Sequence, residues 1–143
     1  MAITYENVIY DRVIDSLHGL IADEFNIPIY FDEHEGNQSF LITPDDDTLI
    51  EYAANSQTRT YSVSISYQLL SSGNYNKNVI KQVTEVTERL KRLLFNNSAY
   101  SPSDSYKWHD GRVQSISYSR DEDDNSIVSS NTSFECTVGE VIG

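Results

Sequence analysis

The stretch Arg59 to Leu70, RTYSVSISYQLL, constrains the fold of this chain more than any other. Tyr61, Val63, Ile65, Tyr67 and Leu69 alternate without a break against Ser62, Ser64, Ser66 and Gln68, the period-two pattern of a strand with one apolar face. Such a strand belongs in the middle of a sheet. It needs apolar partners on that face, and the residues after the turn-like Ser71–Asn76 provide them: Val79, Ile80, Val83, Val86, Thr87, Leu90, Leu93 and Leu94 recur at helical spacing between Asn76 and Phe95. On the opposite side of that helix Lys81/Glu85, Glu85/Arg89 and Glu88/Arg92 are spaced for ion pairing.

An earlier helix is expected from Tyr5 to about Phe25, capped by Thr4, with Val8, Ile9, Val13, Ile14, Leu17, Leu20 and Ile21 on its buried side. His18 borders that stripe as a boundary residue, and Gly19 marks close packing or a weak point. Asn26 and Pro28 then open a strand, Ile27–Phe31, which its proline assigns to an edge or a strand start. Asp32–Gln38 reads as a hairpin loop and Ser39–Thr43 as a short strand. Pro44 and the triplet Asp45, Asp46 and Asp47 break that strand, and Thr48–Tyr52 forms a further short strand or a bend. Late in the chain, Arg112–Arg120 and about Ile127–Val138 alternate again around an acidic turn, a closing hairpin. Between the second helix and that hairpin lies Asn96–Gly111, a long polar connection containing Tyr100, Tyr106 and Trp108. Aromatic rings in such a loop either fill a partner's pocket or fold back to cap the chain's own core.

A chain of 143 residues is the size of one domain. Its lone cysteine, Cys136, excludes an internal disulfide and alternates with Phe134 and Val138 as a buried small apolar residue would. With no apolar run of transmembrane length and no leader pattern, an intracellular protein without a membrane partner is expected. The net charge of −12 is unevenly spread: residues 1–76 hold twelve acidic residues against Arg12 and Arg59. That balance argues against gripping nucleic acid, which requires a basic surface, yet is compatible with a surface that DNA slides past.

Chemistry is poorly supported. Asp121–Ser126 offers oxygens at the first, third and fifth positions of a calcium loop, but Ser126 and Thr132 stand where that loop requires glycine and glutamate. Adjacent aspartates at 45–47 diverge rather than converge on a metal, and Asp32–Glu35 is a single run of loop residues. His18, His34 and His109 have no nucleophile at a recognisable spacing, and phosphate-cradling glycine motifs are missing. The expectation is a non-enzyme with no cofactor and no metal.

The order of elements, the size, the acidity and the opening MAITYENVIYDRVIDSLHGLIADEFNIPIYFDE, a helix leading into an Ile-Pro strand, resemble the tail terminator (tail completion) proteins of long-tailed bacteriophages. The resemblance implies a single α+β domain over residues 1–143, a mostly antiparallel or mixed sheet packed against two long helices. It also implies assembly into a ring, a homohexamer, that caps the tail tube and joins it to the head or neck. The partners would be other copies of the chain, the tail tube protein and a head-completion or connector protein, with DNA passing through without specific binding. The virion tail or neck, assembled in the host cytoplasm, would be its location. Asp45, Asp46 and Asp47, or Asp121, Asp123 and Asp124, become candidates for an acidic lumen. Tyr100, Tyr106 and Trp108 become candidates for a partner interface, so that deleting Tyr100–Lys107 is expected to spare the fold and abolish assembly. Another neck component, or a small α+β enzyme or binding domain with a pocket between sheet and helices, would share much of this sequence pattern.

Overall fold

A computed structural model describes residues 2–70, 77–121 and 127–142. The turn expected at Ser71–Asn76 and the acidic positions Asp123 and Asp124 lie outside the described residues. The architecture is α+β, one five-stranded mixed sheet with two helices on one face. The first helix is shorter than expected. It begins with a π-helical turn, Ile9–Ile14, and continues as α1, Asp15–Glu24, whereas α2, Lys77–Asn96, has 20 residues. Thr4 does not cap the start: the π-helical turn begins after Val8 without a side-chain cap, and just ahead of it the Asn7 side-chain oxygen accepts from the Tyr10 amide at 3.4 Å.

The strands are β1 (Ile29–Tyr30), β2 (Gln38–Ala53), β3 (Ser56–Leu70), β4 (His109–Arg120) and β5 (Ile127–Val141), in the order β1-β2-β3-β5-β4. β3 is central, and its odd-numbered residues from Tyr61 to Leu69 are all buried. β1 runs parallel to β2, pairing Ile29 with Phe40 and Tyr30 with Leu41, so the intervening residues are not the expected hairpin loop.

A further correction concerns β2, which does not stop at Pro44. It runs for 16 residues in all, through the aspartate triplet, with register shifts between Pro44 and Asp46 and between Leu49 and Glu51. Two conditions make this possible. β1 covers only Phe40 and Leu41, so β2 is an edge strand beyond them, where the missing N–H of proline is tolerated. The bulges then absorb the local irregularity while β3 continues to pair as far as Ala53↔Ser56.

Both helices cover the face bearing Tyr61, Val63, Ile65 and Tyr67. Phe25 at the end of α1 meets Phe40 at 5.1 Å between ring centroids, and Phe40 meets Tyr67 at 5.4 Å. Val83, Leu90 and Leu94 of α2 are buried, as read from their spacing, but Ile80 is 43% exposed. The expected surface pairs of α2 are replaced: Arg89 reaches across to the Glu24 backbone carbonyl at 2.5 Å and carboxylate at 3.1 Å, lying over Phe25, while Lys91 pairs with Glu88. Arg89 thereby satisfies a terminal carbonyl of α1 and clamps the helices together. Gly19 is exposed, and a Cβ there would meet nothing within 4 Å, so it does not mark close packing.

Candidate assembly surface

The aromatic loop resolves into a core cap. Trp108 is fully buried, its Nε1 donating to the Asn97 carbonyl at 2.9 Å, with its ring 4.9 Å from Tyr100 and 5.6 Å from Phe134. Tyr100 and Trp108 also pair through their backbones, the Tyr100 amide donating to the Trp108 carbonyl at 3.0 Å. Gly111 permits this arrangement, since a Cβ on it would lie 2.8 Å from Trp108 Nε1 and 3.2 Å from the Ser98 carbonyl. Trp108 therefore offers nothing to a partner, and removing Tyr100–Lys107 would strip the cap from the core rather than spare the fold. Tyr106 is different. It is 38% exposed, and its hydroxyl accepts from the Gly139 amide at 3.1 Å while lying 2.9 Å from His109 Nδ1. Arg12, on the π-helical turn, packs over the Tyr106 ring, donates to the Gly139 carbonyl and forms a paired contact with Glu6. Hydrogen bonding to Arg12 holds the Glu6 carboxyl below its usual pKa.

Among the described residues no helix covers the sheet's other face. Its cross-strand rows read Leu41–Ser66–Asn131–Ser117 and Thr43–Ser64–Ser133–Ser115, short hydroxyl and amide side chains except for Leu41 at the β2 margin. Among the described residues of β2 to β5 the only lysine or arginine directed to this face is Arg112, which is bridged to Glu135 at 2.9 Å. The aspartate triplet divides between the faces. Asp46 pairs with Ser62 on the hydroxyl face and Asp45 accepts a hydrogen bond from Ser64 there, whereas Asp47 opposes Tyr61 and binds Arg59 at 2.6 Å. Asp121 is exposed at the end of β4, remote from the triplet along the strands.

One corner of the hydroxyl face is pinned by His34, a residue whose role its sequence position did not reveal. Its Nδ1 lies 2.7 Å from Ser39 Oγ and its Nε2 3.0 Å from Ser66 Oγ. Burial lowers its pKa, opposed by a hydrogen bond that the ring donates to the Ser39 backbone. His18 stacks on Phe31 as a boundary residue, 5.7 Å between centroids. Cys136 is wholly buried, and desolvation pushes its thiol pKa up to about 12.

Among the described residues no three His, Cys, Asp or Glu side chains gather around a metal-sized site, and no helix is long and apolar enough to cross a membrane. The depressions are open. One, about 410 Å³ and largely apolar, lies between α2 and the β4 edge, lined by Ile80, Val83, Thr84, Tyr118, Arg120 and Val128. Another, about 310 Å³, contains His109, Asp110 and Arg112, but the histidine is engaged by Tyr106 and the guanidinium by Glu135. The sequence matches no model of a known protein family, and no curated protein matches it.

Proposed function

We propose that the chain is a structural virion protein of the tail terminator kind, forming a six-membered ring that caps a phage tail tube and joins it to the head or neck while DNA passes through the lumen. The observation that carries this reading is the uncovered hydroxyl face of the sheet. A polyanion is held by lysine and arginine, which release counterions on binding. The face has one arginine, neutralised by Glu135, and adds Asp45 and Asp46 at its β2 margin. Lining a channel, such a surface would let DNA move without adhering to it. On this face the lumen candidates are Asp45 and Asp46, while Asp47 is engaged on the other face, Asp121 lies at the end of β4, and Asp123 and Asp124 lie outside the described residues.

Tyr106 retains a part in this proposal as a support of the sheet end at Gly139, and exposed Tyr52, Ile50 and Leu49 at the distal end of β2 give the ring a surface for the tube or the connector. The test is negative-stain electron microscopy of the purified protein at high concentration, alone and with tail tubes. Rings of six-fold symmetry, or density capping tube ends, are expected. Particles that remain monomeric with tubes present would redirect the reading towards a small binding domain or enzyme.

A further inference from the structure

The two edges of the sheet are unequally protected. Beyond β1, β2 has a proline, two bulges and four carboxylates, all of which discourage another strand from pairing. β4 forms the opposite edge; its two register shifts, between His109 and Arg112 and between Val113 and Ser115, lie in its first half, and from Ser115 to Ser119 it reads SISYS in unbroken pairing with β5, without a charge, proline or glycine. An edge of this composition is a template for strand addition. Directly beside it, on the helix-covered side, opens the apolar cleft between Ile80, Val83, Tyr118 and Val128. An added strand would therefore place alternate side chains over that cleft.

The chain carries a segment of matching form. Residues 2–6, AITYE, precede the first helix without regular structure, with Ile3 and Tyr5 exposed by 81% and 79%. Their spacing puts both on one side of an extended strand. They cannot fill the cleft of their own chain. Glu6 is tethered by Arg12 to Gly139, and the cleft lies at Val128, eleven residues earlier on β5 and about 36 Å away along the strand. From Glu6 back to Ile3 the backbone spans only about 10 Å.

Charge favours a second copy as the donor. Around the cleft, Arg120 lines the β4 side and Lys77 and Lys81 stand on the α2 turns that carry Ile80 and Val83, with exposed Asp121 following at the end of β4. The donor segment leads the acid-rich half of the chain, with Glu6, Asp11 and Asp15 following it closely.

We propose that residues 2–5 of one copy add to the β4 edge of the next, seating Ile3 and Tyr5 in the cleft between α2 and β4. Donor and acceptor sites are different surfaces at opposite ends of the sheet, so the contact is heterologous and repeats head to tail. This rests on the ring reading and supplies its subunit contact.

The test uses two chains, Ile3→Cys and Tyr118→Cys, both at exposed positions, with native Cys136 buried out of reach. Mixed and oxidised, they are expected to give a cross-linked heterodimer in excess over either homodimer, and Ile3→Asp/Tyr5→Asp in the Ile3→Cys partner's place should not compete for the site when added unlabelled, whereas unlabelled wild type should. Absence of the preferred heterodimer overturns the proposal. Negative-stain images of the same samples separate the two readings: rings without the cross-link reject this contact and leave the ring standing, whereas the cross-link in open chains supports the contact and rejects the closed ring.

Discussion

The two halves of β2 pair with the same neighbour and differ in what lies over them. From Ser39 to Ile42 the strand sits beneath α1, with Phe40 fully buried between Phe25 and Tyr67. From Asp45 to Ala53 every residue is exposed, although the ladder to β3 continues and β3 is itself backed by β5 as far as Val141. Backbone pairing alone is therefore enough to extend a strand once its neighbour is held, whereas the energy that holds the neighbour comes from side chains under the helices. The difference teaches that the distal half is free to carry surface chemistry at little cost to the fold.

Substitutions can break or sharpen that contrast. The largest effect is expected at Leu90, buried beneath α2: Leu90→Asp should abolish cooperative thermal unfolding, and Leu90→Ala should cost about 3 kcal/mol in urea melts. A Leu90→Asp protein that melts cooperatively near the wild-type temperature would contradict the assignment of this face. Next is Gly111→Ala, where the new methyl group meets Trp108 and Phe134; a loss of about 1–3 kcal/mol is expected by the same measurement.

A smaller, pH-dependent effect is expected at His34. Its folded pKa lies below the unfolded value of about 6.5, so the unfolded chain binds more protons in the interval between the two. Stability should consequently fall as the pH drops below about 6.5, levelling off below the folded pKa, and His34→Gln should remove that part of the acid dependence. Identical pH profiles for the two proteins would show that the histidine clamp contributes nothing to linkage. The smallest effect belongs to the distal half of β2: Ile50→Ser, at a residue 58% exposed, should alter stability by no more than about 0.5 kcal/mol. A larger loss there would mean that the distal half is held by packing after all.

Much of the covered half was legible in the sequence. The alternation of β3 and the helical period of α2 identify their buried residues because a continuous apolar face has few other uses. The distal half was not legible, since whether Pro44 ends a strand depends on how far β1 extends along β2, and β1 has only two residues. Trp108 was undecidable for a related reason: its loop is polar, and only the space above Gly111 shows where the ring goes. The hydroxyl face is visible in retrospect as serine recurring at alternate positions in β3, β4 and β5, a pattern easily passed over because attention follows the apolar half of an alternation. The clamp made by His34 depends on Ser66, far away in sequence, and leaves no local signal.

The burial of Cys136 gives the molecule a built-in clock. The thiol sits on the covered side of β5, paired in register with Tyr61 of β3, and no reagent reaches it while the helices remain in place. The rate at which it becomes modified in native buffer therefore counts excursions in which the helix layer lifts from the sheet, and at saturating reagent it becomes the opening rate itself. Followed before and after assembly, that single sulfur would report how firmly neighbouring copies hold each domain shut.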